Sequence, residues 1–142
     1  MRYDLPLICE LCDEIGLPVR LLGDECAELD LGQGALLQFQ NAEDDKDCLA
    51  GFFGTPWHTH DNFLFGGHGY GVELDYLDLV VALTDGRILI CEQRVNGQTM
   101  DRWLIHNKYN DEFKYLEAGE EIIVRRATIR APKETPGTPS PG

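Results

Sequence analysis

Residues 88–106 read ILICEQRVNGQTMDRWLIH, and the Asn96-Gly97 pair inside that stretch decides the fold. Asn-Gly between alternating apolar residues is the strongest short-range signal for a two-residue hairpin turn, because both central positions of that turn need φ above zero. Such a turn sets Val95 against Gln98. An unbroken ladder then sets Glu92 against Asp101, Ile90 against Trp103 and Leu89 against Leu104. Apolar pairs meet on both faces, so the hairpin is expected to be central and covered on each side.

Working outward, Phe113 to Leu116, a turn at Glu117-Ala118-Gly119-Glu120 and Glu121 to Arg130 supply the last strands. Residues 73–84 fit two patterns. Leu74, Leu77, Val81 and Thr84 suit a helix with an acidic first turn, whereas Leu77, Leu79, Val81 and Leu83 suit a strand entering Asp85-Gly86; the helix is favoured. Upstream, Ala27, Leu29 and Leu31 alternate with Glu28 and Asp30, Gly32-Gln33-Gly34 turns the chain, and Ala35, Leu37 and Phe39 continue the alternation. That pattern is a hairpin with one wet face. Asn41 to Asp47 is too polar to pack and reads as a solvated loop, and Cys48 to Phe53 as another strand. At the start, Asp4 caps a helix that places Leu5, Ile8, Cys9, Cys12 and Ile15 on one face, ended by Gly16 and Pro18.

The fold class is therefore α+β: a single domain over residues 1–131, mostly an antiparallel sheet of about six strands, with an N-terminal helix and a second helix at 73–84. Beyond Ala131 the chain reads PKETPGTPSPG, with no large apolar residue to bury, and residues 132–142 are expected to form a disordered, proline-rich tail.

The chain of 142 residues is 43% hydrophobic, which is ample for one packed core. Its 12 basic and 25 acidic residues give a net charge of −13, so it repels phosphate backbones and nucleic acid is not an expected partner. The acidity is uneven: residues 1–50 hold 12 acids and 3 bases, residues 107–142 hold 6 of each. The first residues carry no basic segment followed by a long apolar run, and charges break every stretch before membrane-spanning length, so neither export nor membrane insertion is expected. Five cysteines, several at core-facing positions, suit reduced thiols in a cytoplasmic protein better than a disulfide framework.

The stretch most unlike the rest is residues 54–71, GTPWHTHDNFLFGGHGYG, which is too rich in glycine for a regular helix or a central strand. In extended backbone His58 and His60 project to one side, as paired imidazoles do at adjacent corners of a Zn²⁺ or Fe²⁺ site. Asp61 or His68 would complete three ligands and leave one position for water. Families that use an HxH pair require more than this. The cupin pattern wants a glutamate where Leu64 and Phe65 stand, the JAB metalloproteases want proline after the second histidine, and metallo-β-lactamases want HxHxDH. The chain is assigned to none of them. The plainer reading leaves His58 and His60 half exposed and hydrogen-bonded to backbone, with Trp57, Phe63 and Phe65 tucking the segment onto the sheet.

Cys9-Glu10-Leu11-Cys12 is a CxxC in mid-helix, not at the strand-to-helix junction that depresses a thiol pKa, and it reads as core packing. Glu92 and Asp101 read as carboxylates neutralised by Arg94 and Arg102 on a solvated face, and Arg125 and Arg126 as strand-surface charges. No phosphate-cradling glycine motif is present.

Two functions follow. The leading one is an acidic protein-binding module for a basic partner, comparable in size and charge alone to the immunity proteins of nuclease toxins; its face would hold Glu43, Asp44, Asp45 and Asp47, with Asp24, Glu25, Glu28 and Asp30 nearby, and Trp57 as an anchor. The alternative is a metal-dependent hydrolase with His58, His60 and Asp61 or His68 as ligands and no other cofactor. Oligomeric state is not legible.

Overall fold

The Asp4 carboxylate accepts a hydrogen bond from the Leu7 amide and so caps α1 (Leu5–Ile15), which ends on Gly16 in the left-handed region. This is a computed structural model, and it describes residues 2–42, 47–67, 70–109 and 117–129. The expected strand at Phe113–Leu116, the acids Glu43, Asp44 and Asp45, His68 and the tail at 132–142 lie outside the described residues.

After α1 come β1 (Val19–Leu21), β2 (Cys26–Asp30), β3 (Leu36–Asn41), β4 (Cys48–Phe52) and β5 (His58–His60), joined in that order as an antiparallel sheet. The alternation read in the sequence sorts its two faces. Ala27, Leu29, Leu37, Phe39, Ala50 and Phe52 point into the core. The outer face carries the row Arg20, Glu28, Gln38, Gly51, His58 and, beside it, Cys26, Gln40, Leu49, His60. β6 (Phe63–Gly67) and β7 (Tyr70–Leu74) make a separate hairpin, followed by α2 (Tyr76–Asp85) and a second antiparallel sheet in which β8 (Ile88–Val95) lies between β10 (Glu120–Arg125) and β9 (Gln98–His106). The fold is thus α+β with two helices and antiparallel strands, but among the described residues the strands number ten in three sheets, not about six in one. The difference arises because β1 and β5 are three residues long and β6 and β7 contain Gly66, Gly67 and Gly71, so each carries too little alternation to read as a strand.

Asn96 and Gly97 have φ of 50° and 83°, and Val95 pairs with Gln98 as expected. The register then shifts by one. Arg94 faces Thr99 but Gln93 faces Asp101, so Met100 is the extra residue of a β-bulge. The true partners are Glu92 with Arg102, Cys91 with Trp103, Ile90 with Leu104 and Leu89 with Ile105. This corrects the expected facing of Glu92 with Asp101 and of Ile90 with Trp103. The alternation could not reveal the bulge because both faces of this hairpin are apolar, as the central position requires. Ile88, Ile90 and Leu104 enter the main core, and Cys91, Trp103 and Ile105 form a second cluster on the opposite face.

α2 begins three residues later than expected, because Asp75 is its cap and accepts from the Asp78 amide, while Glu73 and Leu74 belong to β7. Its buried stripe is Leu79, Val80, Ala82 and Leu83; of the expected residues, Leu77 is half buried against the core, Thr84 is half buried and Val81 is exposed. α1 and α2 touch each other, and α2 packs on β8. No helix among the described residues is long and apolar enough to cross a membrane.

Glu92 is fully buried, which corrects the solvated-face reading. It accepts from Arg94 at 3.1 Å, Arg102 at 3.3 Å and Arg125 at 3.3 Å. Arg125 also donates to the carbonyls of Leu31 and Gly32, so this guanidinium is no surface charge; it fastens the β2–β3 turn of the large sheet to the smaller one.

Candidate functional site

The histidine pair sits on β5, an edge strand held to the rest of the molecule by Trp57. That indole stacks at a tilt on Phe52, with ring centroids 6.0 Å apart, and the Trp57 amide donates to Asp101 Oδ1 at 3.3 Å. Trp57 is half buried against both apolar clusters, so its side chain supports the strand. Register places His58 opposite Gly51 and His60 opposite Leu49, which puts both imidazoles on the outer face, exposed, with centroids 5.3 Å apart and planes at 80°.

Each ring is held through Nδ1. His58 Nδ1 lies 3.1 Å from the Pro56 carbonyl oxygen, and His60 Nδ1 lies 3.1 Å from Asp47 Oδ1. A carbonyl only accepts, and so does an ionised carboxylate, so both Nδ1 atoms carry the proton in the neutral rings and both Nε2 atoms are acceptors. His106 is the opposite case: its Nδ1 accepts from the Lys108 amide at 3.1 Å. Burial, and after it the charges of Arg87 and Lys108, hold its pKa below the ordinary imidazole value.

The other predicted residues are distributed as follows. Asp61, in the left-handed region at φ 59°, directs Oδ1 to the Cys48 thiol at 3.3 Å and accepts from the Tyr3 hydroxyl through its carbonyl. Its carboxylate therefore serves the core side of the β5–β6 turn. Burial, and after it the bond to Asp61, pushes the Cys48 thiol up, so it is no ready nucleophile. Among the described residues no group of three His, Cys, Asp or Glu is placed to hold an ion. In the CxxC, burial pushes Cys12 up to about 12 and raises Cys9 as well, in keeping with core packing.

Asp47 and Asp24 are exposed. Glu28 is 4% exposed and held by Arg20 and Gln38 at 2.8 Å each, and Glu25 pairs with Arg2. Of the four acids at residues 24–30, Glu25 and Glu28 are thus paired with Arg2 and Arg20, while Asp24 and Asp30 are exposed. What the sequence reading missed is the neighbouring groove of about 310 Å³, lined by Gln38, Gln40, Leu49, Gly51, Phe53 and His58 among others. It also missed the helical layer. α1 and α2 hold no Lys or Arg, while Glu10, Asp13, Glu14 and Asp78, with the caps Asp4 and Asp75, are exposed. The signal was available: a count of charges by helix, not by thirds of the chain, finds it. No protein family matches this chain, and neither a curated protein nor a solved structure is similar to it.

Proposed function

We propose that this chain is a cytoplasmic binding module whose acidic two-helix layer docks a basic protein. One observation carries the reading: two helices in mutual contact present only carboxylates among their charged side chains, while Arg2, Arg20, Arg94, Arg102 and Arg125 are engaged in ion pairs outside those helices and Arg87 pairs with Asp85 at the end of α2. An acidic face steers a basic partner and disfavours acidic ones. Leu7 and Val81 are exposed on the same helices and supply apolar contact within that field.

The test is site-specific crosslinking. A photoreactive residue at Leu7 or Val81 is expected to trap a basic protein, with a yield that falls as salt rises. The same probe at Met100, on the sheet side, is expected to trap nothing. Replacing Glu10, Asp13 and Glu14 by lysine should weaken capture at least tenfold. Equal capture from both sides, or capture untouched by the charge reversal, would sink the proposal.

A further inference from the structure

We propose that His58 and His60 form a site for one divalent transition cation of the zinc, nickel or copper class, bound through the two Nε2 atoms. This rests on the histidine corner alone and is independent of the helical docking face.

Four features meet there. The first is placement. In strand β5 the two rings stand on one face, two residues apart, and the residue opposite His58 is Gly51. A Cβ on Gly51 would lie 3.1 Å from the His58 Cβ and 2.7 Å from the Trp57 carbonyl oxygen, so glycine leaves the ring its room. The second is the proton. A metal-bound imidazole almost always donates its other N–H to a carboxylate or a backbone carbonyl, which fixes the tautomer and aims the ring. Here His60 has the carboxylate of Asp47 and His58 has the carbonyl of Pro56, so both Nε2 lone pairs are ready without a proton being moved.

The third feature is distance. With metal–nitrogen bonds of about 2.0–2.1 Å and a tetrahedral angle, the centroids of two imidazoles on one ion fall about 5 Å apart. The observed 5.3 Å meets that requirement within the reach of small rotations. The fourth is the field. The chain has a net charge of −13, and the exposed Asp47 and Asp61 lie in this corner, so a cation is drawn to it.

Two protein ligands leave two positions of a tetrahedral ion open. The site is therefore weaker than a closed structural zinc site and exchangeable. Imidazole donors follow the order Co²⁺, Ni²⁺, Cu²⁺ in rising affinity, whereas Mg²⁺ and Ca²⁺ prefer oxygen.

Long-range ¹H–¹⁵N spectra of the full chain, kept reduced by a phosphine, read the site atom by atom. Without metal, His58 and His60 are expected to show protonated Nδ1, and His106 protonated Nε2. Added Zn²⁺ should move the Nε2 resonances of His58 and His60 together, saturating at one equivalent, and leave His106 unchanged. Mg²⁺ should move none. His58→Ala or His60→Ala should weaken Zn²⁺ at least tenfold. Asp47→Ala, which removes no ligand, should weaken it about 10- to 100-fold. Nε2 signals that stay put under excess Zn²⁺ overturn the proposal. So does a double His58→Ala/His60→Ala variant that binds as wild type, since the metal then sits on thiols or carboxylates elsewhere.

Discussion

Glu92 is where a single side chain matters most. Burial alone would push its carboxyl up, but hydrogen bonds from Arg94 and Arg102 and the charges of Arg102 and Arg125 outweigh burial and hold it below the ordinary glutamate value. Taking away the negative charge leaves the mostly buried guanidiniums of Arg102 and Arg125, and the half-buried one of Arg94, without their shared anion, so Glu92→Gln is expected to cost about 3–5 kcal/mol in urea unfolding at pH 7. A carboxyl depressed by folding stabilises fully above its unfolded pKa of about 4.3, and that contribution is lost as pH falls through the lower folded value. Wild type should therefore lose its margin over Glu92→Gln in acid. A difference between the two proteins that stays constant from neutral pH down through that window would show that Glu92 does not act as an anion here. The sequence offered the residue and misjudged its setting: Glu92, Arg94 and Arg102 are legible as neighbours on a hairpin, but the third partner comes from β10, 33 positions away.

At the scale of elements, the β2–β3 turn joins the two sheets, and its Gly32, set against Gly23 of the β1–β2 turn, tests how. Gly23 and Gly32 both have positive φ, 70° and 89° respectively. A Cβ on Gly23 would have nothing within 4 Å, whereas one on Gly32 would lie 2.7 Å from the Thr128 Cβ. Alanine at Gly23 meets only the left-handed penalty of about 1 kcal/mol, while alanine at Gly32 also pushes against Thr128 and should cost about 2–3 kcal/mol. Equal costs in chemical denaturation would mean that residues 126–129 do not hold the turn. These elements also show what local pattern can and cannot report. The Asn96-Gly97 turn, the α1 caps and the wet and dry faces of β2 and β3 were all legible, because each is decided within a few residues. The Met100 bulge, the buried face of α2 and the partners of Glu28 were not, since each depends on which segment lies alongside. The same holds at the histidine pair: its spacing was visible, but the acceptors at Pro56 and Asp47 that fix both tautomers come from folding, and the third ligand proposed in Asp61 is turned towards Cys48.

For the molecule as a whole, the excess of acids acts on folding and on binding with opposite sign. The exposed pairs Arg2–Glu25 and Arg87–Asp85 contribute about 0–1 kcal/mol each and weaken with salt. The Glu92 cluster is buried and screened far less. Against these small losses stands the self-repulsion of a net charge of −13, which opposes compaction and is relieved as the screening length shortens. Repulsion should win, so the thermal midpoint is expected to rise by a few degrees between about 10 mM and about 300 mM sodium chloride. Over the same range a partner held by the carboxylates of α1 and α2 should dissociate faster and associate more slowly, because the field that destabilises the free chain is the field that attracts the partner. Parallel measurements of unfolding and capture separate this account from its rival. If both rise with salt, the contact is apolar and the acidic layer serves solubility. If both fall, surface ion pairs hold the fold itself.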